Sequence, residues 1–290
     1  MKASETLRAP AKINLTLEVL SKREDGLHAL RSVMVPVDLC DELHVEPSER
    51  TAFACDVAEL QADNLVERAL HELGIDGARV ELRKKIPTGA GMGGGSSDAA
   101  AILLAAQRGV FGDPPEIDYL AAARSLGSDV PFFLVETAAL VEGAGERVTA
   151  LGPVPPWHAV VVKPPVAVST AWAYAQLDAA HKPSRPRSRS ASVQMAEALQ
   201  RGAFERVLSL LQNDFEDVLA PATPEIAASL DALRAAGAGR PLMTGSGSCV
   251  FALVRTRGEA DALAGALRAP DGHRVFRCAF WNGANWRSAA

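Results

Sequence analysis

The segment Pro87–Ser97, PTGAGMGGGSS, is the stretch of the chain best suited to do chemistry. It carries five glycines, and ordering each one costs more backbone entropy than ordering any other residue. The missing Cβ atoms let main-chain N–H groups approach an anion closely, and a helix N-terminus after the loop adds partial positive charge. Ser96 and Ser97 contribute hydroxyls and a cap. The chemistry suited to such a loop is binding of a di- or triphosphate. Gly89–Gly94 also satisfies G-x-G-x-x-G, the dinucleotide fingerprint. The acidic residue that fingerprint requires about 20 positions on would fall in Gly109–Asp118, which Pro114 and Pro115 break. A Walker loop closes on Gly-Lys-Ser/Thr, and no lysine lies between Thr88 and Ser97. A mere tight turn with close helix packing needs one or two glycines rather than five.

Three other positions carry possible chemistry. Lys12, one of only seven lysines, heads a regular alternating segment with Asn14 on the same face; the pattern alone equally suits a lysine on a solvent-facing edge. Asp129 lies in Gly127–Leu134, GSDVPFFL, where a flexible approach meets an apolar run. A carboxylate at that junction is partly desolvated, as a general base often is, or else it is an ordinary turn aspartate. Met243–Phe251, MTGSGSCVF, is a turn of small residues that suits either close backbone approach to a ligand or a hairpin.

The elements that must position these groups read as mixed α and β. Ile13, Leu15, Leu17 and Val19 alternate with Lys12, Asn14, Thr16 and Glu18, the period of a half-buried strand over Ala11–Leu20. After a turn at Arg23–Gly26, strands are predicted at Val33–Leu39, Leu43–Glu46 and Thr51–Cys55. A helix follows at Asp63–Leu73, and a strand at Arg79–Ile86 runs into the glycine loop. An Ala/Leu helix runs from the loop through Ala106. Tyr119–Ser125 then reads as helix, with Val130–Val135 and Ala138–Glu142 extended. Gly152–Pro156, GPVPP, is a boundary candidate that divides the chain into residues 1–152 and 153–290. Beyond it lie strand candidates His158–Lys163, Cys249–Val254 and His273–Ala279. Helices are predicted at Val193–Gln200, Phe204–Leu211, Pro224–Ala235 and Gly258–Leu267, with Thr223 as an N-cap. His181–Ser192, HKPSRPRSRSAS, reads as a mobile loop; its basic residues lack the aromatic partners of a nucleic-acid surface.

Composition bounds the rest. The chain has 290 residues, 48% hydrophobic and 22% charged, enough to bury a core in one large or two smaller domains. A net charge of −5 argues against a phosphate-backbone binder but leaves room for a small basic site. No segment approaches the roughly 18 uncharged apolar residues of a membrane span, and Met1–Lys12 lacks a signal-peptide core. Cys40, Cys55, Cys249 and Cys278 form no C-x-x-C pair, which suits a reducing cytoplasm rather than a disulfide framework or zinc site.

Taken in order, AKINLTLEV with Lys12, Ile86–Ala100, Gly127–Phe133 and Met243–Leu253 resemble the GHMP small-molecule kinases over nearly the whole chain. The resemblance implies an α/β (α+β) two-domain fold with its active-site cleft between the domains. It implies ATP as phosphoryl donor, with Mg²⁺ and with metal ligands left unassigned. It also implies, as acceptor, a cytidine-diphosphate sugar alcohol on the non-mevalonate route to isopentenyl diphosphate. Asp129 is then the catalytic base and Lys12 its charged neighbour. Pro87, Thr88, Gly89, Ala90, Gly91, Met92, Gly93, Gly94, Gly95, Ser96 and Ser97 hold the phosphates. Asn64 and Gln107 fall where the family contacts adenine, and Lys84 or Lys85 flanks the nucleotide. At the cytidine end, His28 hydrogen-bonds the base and Tyr174 stacks on it, with Thr170 and Asn14 nearby. Leu27 stands where the family usually carries tyrosine, which makes an aromatic sandwich one-sided. The partners are small molecules, with no nucleic acid or membrane, in a monomer or homodimer. A kinase for homoserine or mevalonate, or a non-catalytic module, is the rival reading.

Overall fold

The computed structural model describes residues 4–180 and 190–281. In chain order the first part holds β1 (Glu5–Lys22), β2 (His28–Pro47), β3 (Ala52–Cys55), α1 (Leu65–Glu72), β4 (Ala78–Arg83), α2 (Gly94–Gln107), α3 (Tyr119–Leu126), α4 (Val130–Phe133), β5 (Ala138–Gly143) and β6 (Arg147–Gly152). The remainder holds β7 (His158–Lys163), α5 (Thr170–Ala179), α6 (Ala191–Gln200), α7 (Phe204–Leu210), β8 (Gln212–Asn213), α8 (Glu216–Ala222), α9 (Pro224–Ala235), β9 (Leu242–Met243), β10 (Val250–Val254), α10 (Arg257–Ala266) and β11 (Arg274–Ala279).

Two sheets organise the chain. The first runs β3–β4–β2–β1–β8, with β5 paired to β2 and β6 to β5. Its long central pair, β1 and β2, is antiparallel, with a register shift between Pro10 and Ala11. The second sheet runs β11–β7–β10–β9, with antiparallel neighbours throughout. Residues 153–157 carry the chain from one sheet to the other, yet β8 returns to pair in parallel with β1.

Helix α2 is the packing centre of the first sheet. Every residue from Ser97 to Ala106 is buried, because its Ala, Leu and Ile side chains meet the sheet on one side and α1, α3 and α4 on the others. A second core joins the sheets: Ile13, Leu15 and Val35 meet Val161, Phe251 and Cys278, with Met195 and Leu199 of α6 among them. A third lies between the second sheet and α8, α9 and α10. Caps follow the local sequence. Asp118 accepts from the amides of Leu120 and Ala121 at the start of α3, and Thr256 with Glu259 forms a capping box on α10.

Several expectations are corrected. The strand over Ala11–Leu20 is buried on both faces from Ala11 to Val19, because α6 and the second sheet's turns cover the polar face as well. Val33–Leu39 and Leu43–Glu46 belong to one strand, and Val130–Val135 is a short helix over Val130–Phe133, with Pro131 near its start, where a missing N–H costs nothing. Of the loop expected at His181–Ser192, residues 181–189 lie outside the described residues. Ser190 caps α6, which already begins at Ala191. Thr223 is the N-cap residue of α9, but its side chain makes no capping hydrogen bond.

Candidate active site

The glycine loop leaves β4 at a corner fixed by a buried carboxylate. Asp41 Oδ1 accepts from the amides of Lys85 and Ile86 at 2.5 and 2.8 Å. Its Oδ2 accepts from Lys84 Nζ at 2.5 Å, and the same ammonium donates to Asp98 Oδ2 at 2.6 Å. Burial, and then the neighbouring charge of Asp41, push Asp98 above the usual carboxylate range, although Lys84 opposes the shift. Burial lowers the Lys84 value, but the two carboxylates outweigh it and hold the ammonium above its ordinary value.

The loop is tied down on three sides by main-chain bonds. Lys12 N donates to Met92 O (2.9 Å), Cys249 N to Ala90 O (3.2 Å) and Val168 N to Gly89 O (3.5 Å). The two glycine-rich turns of the sequence interlock directly. A Cβ on Gly91, whose φ is +70°, would lie 2.2 Å from Thr244 O; one on Gly245, at φ +57°, would lie 2.7 Å from Gly91 O. Neither site admits a side chain, so Met243–Phe251 is a wall for the loop.

Lys12 Nζ stands 3.6 Å from Asp129 Oδ2. The lysine is buried, and the aspartate side chain is 30% exposed. Asp129 occupies the N-cap position of α4 but accepts no capping hydrogen bond, so its carboxylate is turned to the cleft. Lys12 also donates to Asn14 Oδ1 at 2.7 Å.

A cleft of about 470 Å³ takes in both groups. Lys12, Asn14, Asn64, Pro87–Ser96, Asp98, Asp129, Thr170 and Tyr174 all line it, together with Gly245 and Ser246 of the second glycine turn. Most of the residues singled out in the sequence are therefore brought together. Asn64 reaches the cleft as the N-cap of α1, its Oδ1 accepting from Val66 N and its Nδ2 donating to Leu60 O. Thr170 Oγ1 lies 3.1 Å from Ser246 Oγ.

Four of these residues stand apart from the open face of the cleft or are engaged with neighbours. Gln107 is exposed at the last turn of α2, about 20 Å along the helix from the loop at 1.5 Å per residue, and does not line the cleft. Lys84 lines the cleft, but its ammonium is spent on Asp41 and Asp98 and its side chain is 5% exposed, so it braces the loop. Ser97 is fully buried beneath the loop, and its Oγ has no hydrogen-bond partner among the described residues. His28 does not line the cleft; its ring stacks on Tyr174 (centroids 4.7 Å apart, 13° between planes), with Nε2 2.8 Å from Asp178 Oδ1. Tyr174 in turn meets the Phe215 ring edge-on at 4.9 Å. Burial, with the charge of Asp129 adding to it, pushes the Tyr174 phenol up to about 12, so it stays neutral. Leu27 is 56% exposed in the bend just before His28.

Sequence reasoning missed Asp41, Ser32 and Thr244. Asp41 and Thr244 could have been suspected from polar residues at the edges of apolar runs, but their partners lie too far off in the chain to be read locally.

A cleft with a glycine-loop cradle, set between two such sheets, defines a class that the comparisons name. Residues 62–137 match the family model for the GHMP kinases N terminal domain, and residues 195–271 that for GHMP kinases C terminal. The 4-diphosphocytidyl-2-C-methyl-D-erythritol kinase of Geobacter sulfurreducens is 39% identical over 91% of this chain and 95% of its own. That of Deinococcus radiodurans is 40% identical over 97% of this chain and 91% of its own. A crystal structure of 4-(cytidine 5'-diphospho)-2C-methyl-D-erythritol kinase superposes with a TM-score of 0.77 at 37% identity, covering 95% of this chain and 99% of that one. The chain belongs to the 4-diphosphocytidyl-2-C-methyl-D-erythritol kinase family of GHMP kinases.

Proposed function

We propose that the chain is an ATP-dependent kinase that phosphorylates the 2-hydroxyl of 4-diphosphocytidyl-2-C-methyl-D-erythritol, in the cytoplasm, on the non-mevalonate route to isoprenoids. The observation that carries this reading is the 3.6 Å approach of Lys12 and Asp129 in the cleft lined by the glycine loop. Asp129 takes the proton of the attacking hydroxyl as a new O–P bond forms to the γ-phosphorus and the bond to the β,γ-bridging oxygen breaks, releasing ADP. Lys12, 3.6 Å from Asp129, meets the charge that develops on the transferring group. Main-chain amides of the loop neutralise the phosphates.

Mg²⁺ fits this donor set as an ion carried in on the phosphates. Ser97 Oγ lacks a partner beside the loop, and no group of three or more His, Cys, Asp or Glu forms a cage among the described residues. Bound there, the metal would supply charge neutralisation on the phosphates. The His28–Tyr174 stack, with Phe215 edge-on to Tyr174, supports the cytidine end, since a pyrimidine face is recognised by rings of this kind. The two sheets support a cleft between two domains, residues 1–152 and 153–290, with β8 and the shared core holding them together.

The test is ADP release from ATP with three alcohols: cytidine-diphosphate methylerythritol, homoserine and mevalonate. Turnover with the first alone is the expected result; preference for either of the others overturns the acceptor assignment.

A further inference from the structure

Lys12, Asn14, Thr16 and Glu18 occupy one face of β1, and all four are buried, at 3, 0, 0 and 6% exposure. Polar groups so placed must find partners, since an unmet one costs the desolvation of that group in full. The partners form a directed chain. Ser32, fully buried on β2 opposite Leu17, does not line the cleft. Its Oγ donates its single hydrogen to the carbonyl of Thr16 at 2.6 Å, an atom that can only accept. What Ser32 Oγ can offer Asn14 is therefore a lone pair, and Asn14 Nδ2 donates to it at 2.8 Å. That contact fixes which way the Asn14 amide points, with its oxygen towards Lys12 Nζ at 2.7 Å. Thr244 agrees with the same polarity: its Oγ1 accepts from Asn14 N at 3.0 Å and donates to Asn14 Oδ1 at 3.2 Å. Reversed, the amide would present N–H groups to an ammonium.

We propose that Ser32, acting through Asn14, is a positioning residue for the Lys12 ammonium. Asn14 is then an orienter of Lys12 before it is a ligand of the acceptor. The inference rests on the kinase reading above, in which Lys12 serves the transfer step. A misplacement of about 1 Å at a reacting centre costs on the order of 10²-fold in rate, so loss of one orienting hydroxyl has room to act.

The experiment compares Ser32→Ala, Lys12→Ala and the double variant in the ADP-release assay, with Ser229→Ala as control. Ser229 is equally buried and donates its hydroxyl to Glu225 O, far along the chain on α9. The expected result is a kcat at least about tenfold lower for Ser32→Ala with KM for both substrates within about threefold, no further loss when it is added to Lys12→Ala, and a normal kcat for Ser229→Ala. Should the alanine variant fail to fold, the near-isosteric Ser32→Cys carries the same expectation, because a thiol is a weak donor and acceptor. Ser32→Thr, which keeps the hydroxyl, should restore kcat. A wild-type kcat in Ser32→Ala or Ser32→Cys, or a full additional loss on top of Lys12→Ala, overturns the proposal. An undiminished kcat in Lys12→Ala overturns the kinase reading of the site instead.

Discussion

Gly91→Ala would separate the two turns that build the phosphate cradle. At φ +70° an L-residue costs roughly 1–2 kcal/mol. The new methyl would also sit 2.2 Å from Thr244 O and 2.9 Å from Gly247 O, both main-chain atoms that cannot swing aside. Relief requires the backbone to shift, and overpacking of this kind costs about 1–3 kcal/mol more. The sum is about 2–5 kcal/mol, or a Tm lower by at least about 4 °C in a chain of this size. The displaced loop carries the amides aimed at the phosphates, so KM for ATP should rise at least about tenfold. Gly95→Ala is the contrast. Gly95 is helical and its added Cβ would meet nothing nearer than Leu65 Cδ1 at 3.8 Å, so stability should hold or rise by about 0.5–1 kcal/mol. Thermal unfolding of both variants with ATP titration decides the matter. A Gly91→Ala protein with unchanged Tm and unchanged ATP affinity would refute the interlock.

Glu18 accepts from Ser190 Oγ and from the amides of Ala191 and Ser192 at the start of α6. Burial pushes its carboxyl up, but these hydrogen bonds outweigh burial and hold it below the ordinary glutamate range. A group depressed in the folded state stabilises above its unfolded pKa and loses that stabilisation as pH falls through the folded value. Glu18→Gln should cost about 1.5–3 kcal/mol at neutral pH, with the gap to wild type closing as pH falls below about 4; a gap constant with pH would contradict this. Lys84→Met leaves Asp41 and Asp98 buried without their shared cation and should cost about 3–5 kcal/mol in urea unfolding, whereas an unchanged midpoint would remove the brace. Leu27→Tyr, at an exposed bend, should leave Tm alone and lower KM for the cytidine substrate at least about fivefold with KM for ATP unchanged; an unchanged substrate KM would place Leu27 away from the base.

The glycine loop was readable because its chemistry is local: five glycines between a strand and a helix have few uses. Lys12 and Asp129 were ambiguous one at a time, since an edge lysine and a turn aspartate look the same in sequence. Only their order along the chain, with the two glycine turns, resolved them. The polar face of β1 misled because alternation measures polarity rather than exposure; Lys12, Asn14, Thr16 and Glu18 are buried by partners at positions 129, 32, 192 and 190. Asp41, at most a polar residue at the edge of an apolar run in sequence, has its partners some 44 residues on, at Lys84, Lys85 and Ile86. Gln107 lies one helix length from the loop in space because it lies one helix length from it in sequence.

The central claim is that Asp129 accepts a proton beside a correctly held nucleotide. The measurement is single-turnover phosphoryl transfer by Asp129→Asn, with ATP affinity determined on the same protein. The expected rate is at least about 10²-fold below wild type, with ATP affinity within about threefold. Near-normal turnover in that variant would contradict it.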